Sequence, residues 1–286
     1  MPELPEVEAL ARFIAGRAGG RTIQRADLAT FSALKTFDPP LAAVVGRTVH
    51  GTRRWGKYLG IDLDGVWVVM HLARGGWVHW REQLPAGRPR LGKGPLALRV
   101  ALDDGSGFDV TEQGTEKRLA IWIVLSPESV EGVAQLGPDP LAPGFDVDAL
   151  GAVLAGRPGH LKTVLTDQSA LAGVGNAYSD EALHVAKLSP YRPAGKLTDD
   201  EVARLHQALV GVLGEAASRA ADLPASGLKA DKKSNLRVHG RTGEPCPECG
   251  DTIREVSYAT KSFQYCPTCQ TGGKPLADRR LSRLLK

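Results

Sequence analysis

Long apolar runs are missing from this 286-residue chain, and none approaches the ~18 residues that a membrane-spanning helix needs. The N-terminus carries acids where a secretion signal requires bases, and it has no continuous apolar stretch, so the expected location is the cytoplasm. Internal repeats and low-complexity segments are also lacking, which excludes a repeat array. Cysteine is scarce: the chain has 4, all between residues 246 and 269. Such clustering argues against a dispersed disulfide framework and for a metal site. Net charge is only +4, but it is unevenly spread. From residue 226 onward twelve Lys and Arg face six acids, so the rest of the chain sums to −2. A basic end on a near-neutral body suits a polyanion partner, although a solvated basic tail would show the same pattern.

What is present is ordinary for a globular protein of two domains, with 42% hydrophobic and 24% charged residues. Glu3 to Ala18 reads as a helix, with Val7, Leu10, Ala11 and Ile14 at helical spacing. Between residues 44 and 125 the pattern is that of strands: Tyr58–Leu63, Val66–Leu72, Leu96–Leu102, Phe108–Val110 and Arg118–Leu125. Asp103-Asp104-Gly105 supplies a hairpin turn between two of them. Prolines and glycines crowd residues 126–146, and helical periods follow at 147–155, 160–168, 175–186 and 198–221. Residues 222–236 read as a polar loop. The expected organisation is a β-sandwich domain with a leading helix (1–130), a linker (131–146), a helical domain (147–236), a cysteine module (237–270) and a basic tail (271–286). The fold class is α+β.

Cys246-Pro-Glu-Cys249 and Cys266-Pro-Thr-Cys269 form two Cys-x-x-Cys knuckles with sixteen residues between them. Four thiolates at this spacing surround one zinc ion tetrahedrally, with a hairpin from Ile253–Val256 and Phe263–Tyr265 between the knuckles. A redox pair needs only one knuckle, so the zinc reading is preferred and its role is structural. At the other end, Pro2 becomes a secondary amine once Met1 is removed. An α-amino group titrates near ~8 rather than above ~10, so it remains nucleophilic where lysine does not. Glu3 is adjacent and could exchange protons beside that amine. On these residues alone the bland reading is preferred: a common second-position proline, and a glutamate favouring a helix start.

The start Met1-Pro-Glu-Leu-Pro-Glu-Val-Glu8 resembles that of the formamidopyrimidine-DNA glycosylase and endonuclease VIII family. Further blocks follow in the family's order: Arg54-Trp-Gly-Lys57-Tyr-Leu59, His71-Leu72, Leu136-Gly-Pro-Asp-Pro-Leu141 and Ala172-Gly-Val-Gly-Asn176-Ala-Tyr-Ser-Asp-Glu-Ala182, the last resembling its helix–two-turn–helix. Gly240-Arg241 then leads into a zinc finger ending at Gln270. The resemblance implies a DNA-repair glycosylase with strand-cleaving lyase activity, monomeric, acting on double-stranded DNA with a damaged base or an abasic site. In it, Pro2 would form a Schiff base, Glu3 would serve as its acid/base partner, and Glu6 would support their hydrogen bonds. Lys57 and Lys261 would be catalytic and DNA-contacting. His71, Arg74, Lys162 and Asn176 would also meet DNA, and Cys246, Cys249, Cys266 and Cys269 would hold zinc.

Four places depart from the family pattern. Arg74 stands where the family offers a Met, or another apolar residue, to fill the hole left by an extruded base. Thr111-Glu-Gln-Gly-Thr-Glu-Lys-Arg118 replaces an Asp-Pro-Arg-Arg-Phe-Gly loop, leaving Trp77 or Trp80 to supply the wedging aromatic. Lys261 takes the place of the finger's arginine, which loses the bidentate fork. The segment from Asp222 to Asn235 is shorter than the family's lesion-covering loop. Abasic-site chemistry, which needs no base pocket, is thus better supported than recognition of 8-oxoguanine. The rival reading is a non-catalytic binder of damaged or branched DNA, for which the Pro2–Glu3 pair would have no use.

Overall fold

In the computed structural model, α1 (Leu4–Ala18) begins one residue late because Glu3 caps it. Glu3 and Glu6 form a reciprocal capping box, and Glu3 N–H donates to Glu6 Oε2 at 2.8 Å. Pro5 lies in the first turn, where an N–H has no helical partner. Leu4, Val7, Leu10, Ala11, Ile14 and Ala18 are all buried. The structure describes residues 1–92, 94–258 and 261–277, without the side chains of residues 258 and 261. The end of the expected basic tail, from residue 278, lies outside the described residues.

The strands are β1 (Ile23–Leu28), β2 (Gly51–Trp55), β3 (Tyr58–Asp62), β4 (Trp67–His71), β5 (Gly76–Arg81), β6 (Leu96–Leu102), β7 (Gly107–Glu112) and β8 (Ala120–Val124). They form two four-stranded antiparallel sheets, β1-β6-β7-β5 and β2-β3-β4-β8. Ile61 and Met70 from one sheet, Val100 and Phe108 from the other, and Leu10 of α1 share one apolar cluster. This is the expected sandwich with its leading helix. The β6–β7 hairpin turns through Gly105 at φ 83°, as the Asp-Gly step implied. β1, β2 and β5 were not legible as strands. β1 and β2 carry polar residues on faces only partly buried, so neither alternates cleanly.

The β2–β3 hairpin positions a functional candidate. Trp55 pairs with Tyr58, leaving Gly56 and Lys57 as a two-residue turn with Gly56 at φ 53°. Glycine at the first turn position matches the right-handed twist of the strands.

Downstream come α2 (Glu131–Ala134), α3 (Val147–Ala155), α4 (Leu161–Thr166), α5 (Asn176–Val185) and α6 (Asp199–Ala220). The expected capping box opens α6: Glu201 N–H donates to Thr198 Oγ1 at 3.3 Å, and Thr198 N–H to Glu201 Oε2 at 2.9 Å. The segment read as a polar loop, 222–236, instead contains a helix, α7 (Leu228–Asn235). Its sequence lacks apolar periodicity, and it is anchored by buried Leu228 and by Lys232, whose Nζ stands 4.4 Å from the Tyr178 ring centroid. The finger comprises β9 (Arg254–Tyr258), β10 (Lys261–Tyr265) and α8 (Pro267–Thr271). The chain divides into two compact units, Met1–Leu136 with Ala217–Leu228, and Gly137–Ala216 with the chain from Lys229 onward. Among the described residues no helix is long and apolar enough to cross a membrane.

α5 ends in a Schellman motif, with Leu188 N–H bonded to Leu183 O at 3.0 Å and Lys187 N–H to His184 O at 3.1 Å. That motif requires a left-handed residue, here Lys187 at φ 56°. Lys187→Gly should therefore raise stability by about 1 kcal/mol, read from denaturant midpoints at unchanged m-value.

Candidate functional site

Pro2, Glu3 and Glu6 are buried, whereas Met1 is 48% exposed. Removing Met1 would make the Pro2 nitrogen the chain terminus, next in sequence to buried Glu3. Glu3 and Glu6 are held by their mutual cap, so neither depends on a flexible terminus for its position. The hairpin carrying Lys57 is fastened to α1. Arg54 Nε donates to Glu8 Oε2 at 2.9 Å and Thr52 Oγ1 to Ala11 O at 2.7 Å, while Arg54 Nη1 reaches Gly56 O at 3.4 Å. Burial alone would raise the Glu8 carboxyl, but hydrogen bonds and charge from Arg54 and Arg12 outweigh it and lower its pKa. Lys57 itself is only 6% exposed. His71 ends β4, with its ring 4.9 Å from that of Tyr58. Burial, aided by the Lys57 charge, lowers its pKa to about 4.

The second group of candidates lies on α4, α5 and the finger. Lys162 Nζ donates to Asn176 O at 2.7 Å, Ser179 Oγ at 2.8 Å and Asp180 Oδ1 at 2.5 Å. Three bonds engage the ammonium inside the protein, and the side chain is 11% exposed. The structure thus brings Lys162 and Asn176 together, but with Lys162 as an internal tie rather than a cation facing outward. Asn176 begins α5, and its Nδ2 donates to Ser262 O at 2.7 Å. Lys261 opens β10 with its backbone opposite Tyr258; its side chain is outside the described residues.

Two carboxylates that sequence reasoning did not single out hold this region. Asp180 accepts from Lys162, from His239 Nδ1 at 2.7 Å and from Gln264 N–H at 3.1 Å. Glu181 accepts from the backbone N–H groups of Arg237, Val238 and His239 at 2.6, 3.0 and 2.9 Å. Burial raises the Glu181 pKa against these lowering bonds. Their partners lie 18 to 84 residues away, so no local pattern could announce them.

The four cysteine sulfurs lie within 4.8 Å of one another, with Cys246–Cys269 at 3.9 Å and Cys249–Cys266 at 3.4 Å. A tetrahedral zinc with Zn–S bonds of about 2.3 Å requires sulfurs about 3.8 Å apart, so the set fits the metal. Gly250 at φ 77° lets the first knuckle turn back, and its N–H bonds to Cys246 O at 2.9 Å. The zinc is structural.

Residues 1–115 match the model of the formamidopyrimidine-DNA glycosylase N-terminal domain, residues 136–224 that of its helix–two-turn–helix domain, and residues 243–272 that of a zinc finger found in FPG and IleRS. A formamidopyrimidine-DNA glycosylase of Symbiobacterium thermophilum is 37% identical over 98% of this chain and 93% of its own. The chain belongs to the formamidopyrimidine-DNA glycosylase family. A Mycobacterium tuberculosis protein called an uncharacterized formamidopyrimidine-DNA glycosylase-like protein is 61% identical over 53% of this chain and 94% of its own. Among solved structures, the Lactococcus lactis glycosylase non-covalently bound to abasic-site DNA is similar with a TM-score of 0.81, 26% identity and coverage of 94% of this chain and 99% of that one. The Thermus thermophilus protein follows at 0.79, with 30% identity over 96% and 100% of the two chains.

Against that family the departures have a shared geometry. Arg74 is exposed in the turn between β4 and β5, next to Ala73 at φ 49°. Gln113 N–H donates to Gly75 O at 2.9 Å, joining this turn to the exposed loop 113–118. A Cβ on Gly75 would meet Gln113 O at 2.1 Å, so the approach requires glycine. Buried Glu112 closes the loop's base by accepting from Arg118 and Leu119 N–H at 2.8 and 2.9 Å. Of the two tryptophans expected to supply an aromatic wedge, Trp77 is withdrawn into the core and Trp80 is half-buried. Trp77 is 3% exposed with Nε1–H bonded to Ala225 O at 3.0 Å, and Trp80 packs edge-on to Phe13 of α1 at 6.2 Å.

Two outcomes follow from these environments. His71 is neutral in the folded protein but is protonated below about 6.5 when unfolded. The unfolded state therefore binds more protons between about 6.5 and about 4, and stability should fall as pH drops through that window. His71→Phe should abolish that part of the pH dependence in denaturant titrations. Lys162→Met should cost about 3 kcal/mol by leaving Asp180 short of its cation. A folded Lys162→Met protein should nevertheless keep the wild-type slope of log affinity against log salt on abasic duplex DNA; a phosphate contact would instead reduce the slope by about 1.

Proposed function

We propose that the chain is a bifunctional DNA glycosylase and abasic-site lyase in which the Pro2 nitrogen, freed of Met1, attacks C1′ of a damaged nucleotide. The observation that carries the reading is the buried Pro2–Glu3–Glu6 start of α1 beneath an exposed Met1, in the unit that also holds Lys57 and His71. As the new N–C1′ bond forms, the base departs with the glycosidic electron pair and a proton, and Glu3 assists opening of the sugar. The resulting iminium acidifies the C2′ proton. Its removal breaks the C3′–O bond, expels the phosphate of the downstream strand, and leaves an unsaturated iminium joined to Pro2, which water hydrolyses to a 3′ unsaturated aldehyde and the free amine. Lys57 would bind phosphate beside the lesion and donate protons, and Asn176 and Lys261 would hold the backbone. Neutral His71 would contribute a hydrogen bond rather than charge, while Arg74 would occupy the space of the extruded base. Lys162 acts indirectly, by fixing Asn176.

The Lactococcus lactis structures with abasic-site and formamidopyrimidine-containing DNA support damaged duplex DNA as the partner. Abasic DNA is the preferred substrate of this reading, because the charged Arg74 turn and the substituted loop alter the surroundings of a base but not the amine.

Borohydride trapping tests it. Processed protein on abasic duplex should give a covalent adduct, and protein that retains Met1 should give none. Glu3→Gln, which keeps a capping acceptor, should slow trapping by about 10²-fold or more. Absence of any adduct from processed protein that still binds the duplex would favour the non-catalytic binder.

A further inference from the structure

His184, in the last turn of α5, is 1% exposed, and its Nε2 lies 3.2 Å from Cys246 Sγ. Its Nδ1 is also buried and has no hydrogen-bond partner among the described residues. A zinc-bound thiolate carries no proton and can only accept, so the imidazole proton must reside on Nε2. That tautomer leaves Nδ1 as a bare buried acceptor, a feature that native interiors avoid unless the other nitrogen gains more. A phenyl ring would fill the same space with no polar atom to satisfy, so packing does not account for an imidazole here.

We propose that His184 is a positioning residue of the zinc centre, donating its Nε2–H to the Cys246 thiolate and fastening the metal to α5. The bond withdraws charge from one sulfur, strengthens its hold on the metal-bound geometry and sets its orientation. It also joins the zinc to the helix whose first residue, Asn176, bonds to Ser262 in the finger hairpin. The four thiolates are thereby unequal. Cys246 is buried and hydrogen-bonded, whereas Cys249 is exposed and is the sulfur that a reagent meets first.

The zinc-loaded protein provides the test through two readouts. In the first, zinc passes to a coloured chelator; His184→Phe should release it about tenfold faster. His184→Gln, whose amide nitrogen can take the place of Nε2, should remain within about threefold of wild type. In the second, wild-type protein carrying cadmium-113 in place of zinc should show scalar coupling between the metal and the His184 Nε2–H, transmitted through the sulfur. This readout stands even if a variant fails to fold. Equal release from wild type and a folded His184→Phe protein would overturn the proposal, as would a proton found on Nδ1 without coupling to the metal.

Discussion

Asp180 and Glu181 are two adjacent carboxylates with essentially no access to solvent, and the C-terminal unit is organised by what they require. A buried carboxylate without partners would cost several kcal/mol, so each must collect donors from wherever the chain can supply them. Asp180 draws on the α4 ammonium, a histidine ahead of the finger and a backbone amide of β10. Glu181 takes three consecutive amides of the segment leading into the finger. A short helix, a connecting loop and a small metal module, none with much apolar surface of its own, are thereby fixed to α5. Gln270 adds a further tie, its Nε2 donating to Leu188 O at 3.0 Å.

The N-terminal unit solves a different problem. Chain ends ordinarily fray, and a reactive group on one would be poorly positioned. Here the end is inserted: α1 buries its apolar stripe against both sheets, and its first turn is closed by its own glutamates. Arg54 then carries that order from α1 to the Lys57 turn through Glu8. The scaffold that holds the start of α1 and the Lys57 turn is one continuous set of bonds rather than two loops converging.

Features that repeat locally were readable from the residues: the α1 stripe, the Thr198–Glu201 cap, the Asp-Gly hairpin and the two cysteine knuckles. Each depends on neighbours a few positions apart, where spacing encodes geometry directly. β1, β2 and α7 were not, because their stability comes from partners distant in sequence: the register of β1 is set by β6, Arg54 of β2 bonds to Glu8, and Lys232 of α7 finds Tyr178. The site divides along the same line. The cysteines were identified by motif, as were the proposed Pro2 and Glu3, whereas His184, Asp180 and Glu181 stand out only through contacts that the folded chain creates. Lys162 was singled out by motif as a phosphate contact, whereas nothing near it in sequence reveals the aspartate that receives its ammonium.

The bond from Gln113 to Gly75 bears on how such proteins diversify. Two loops about forty positions apart in sequence share a backbone contact so close that neither can change its path alone, so they form a single exchangeable cassette. A chimera that imports one of them from a relative would set a foreign main chain against Gly75 and lose the fit. Importing both together preserves it. Variation in what this surface presents is thus constrained to arrive in matched pairs.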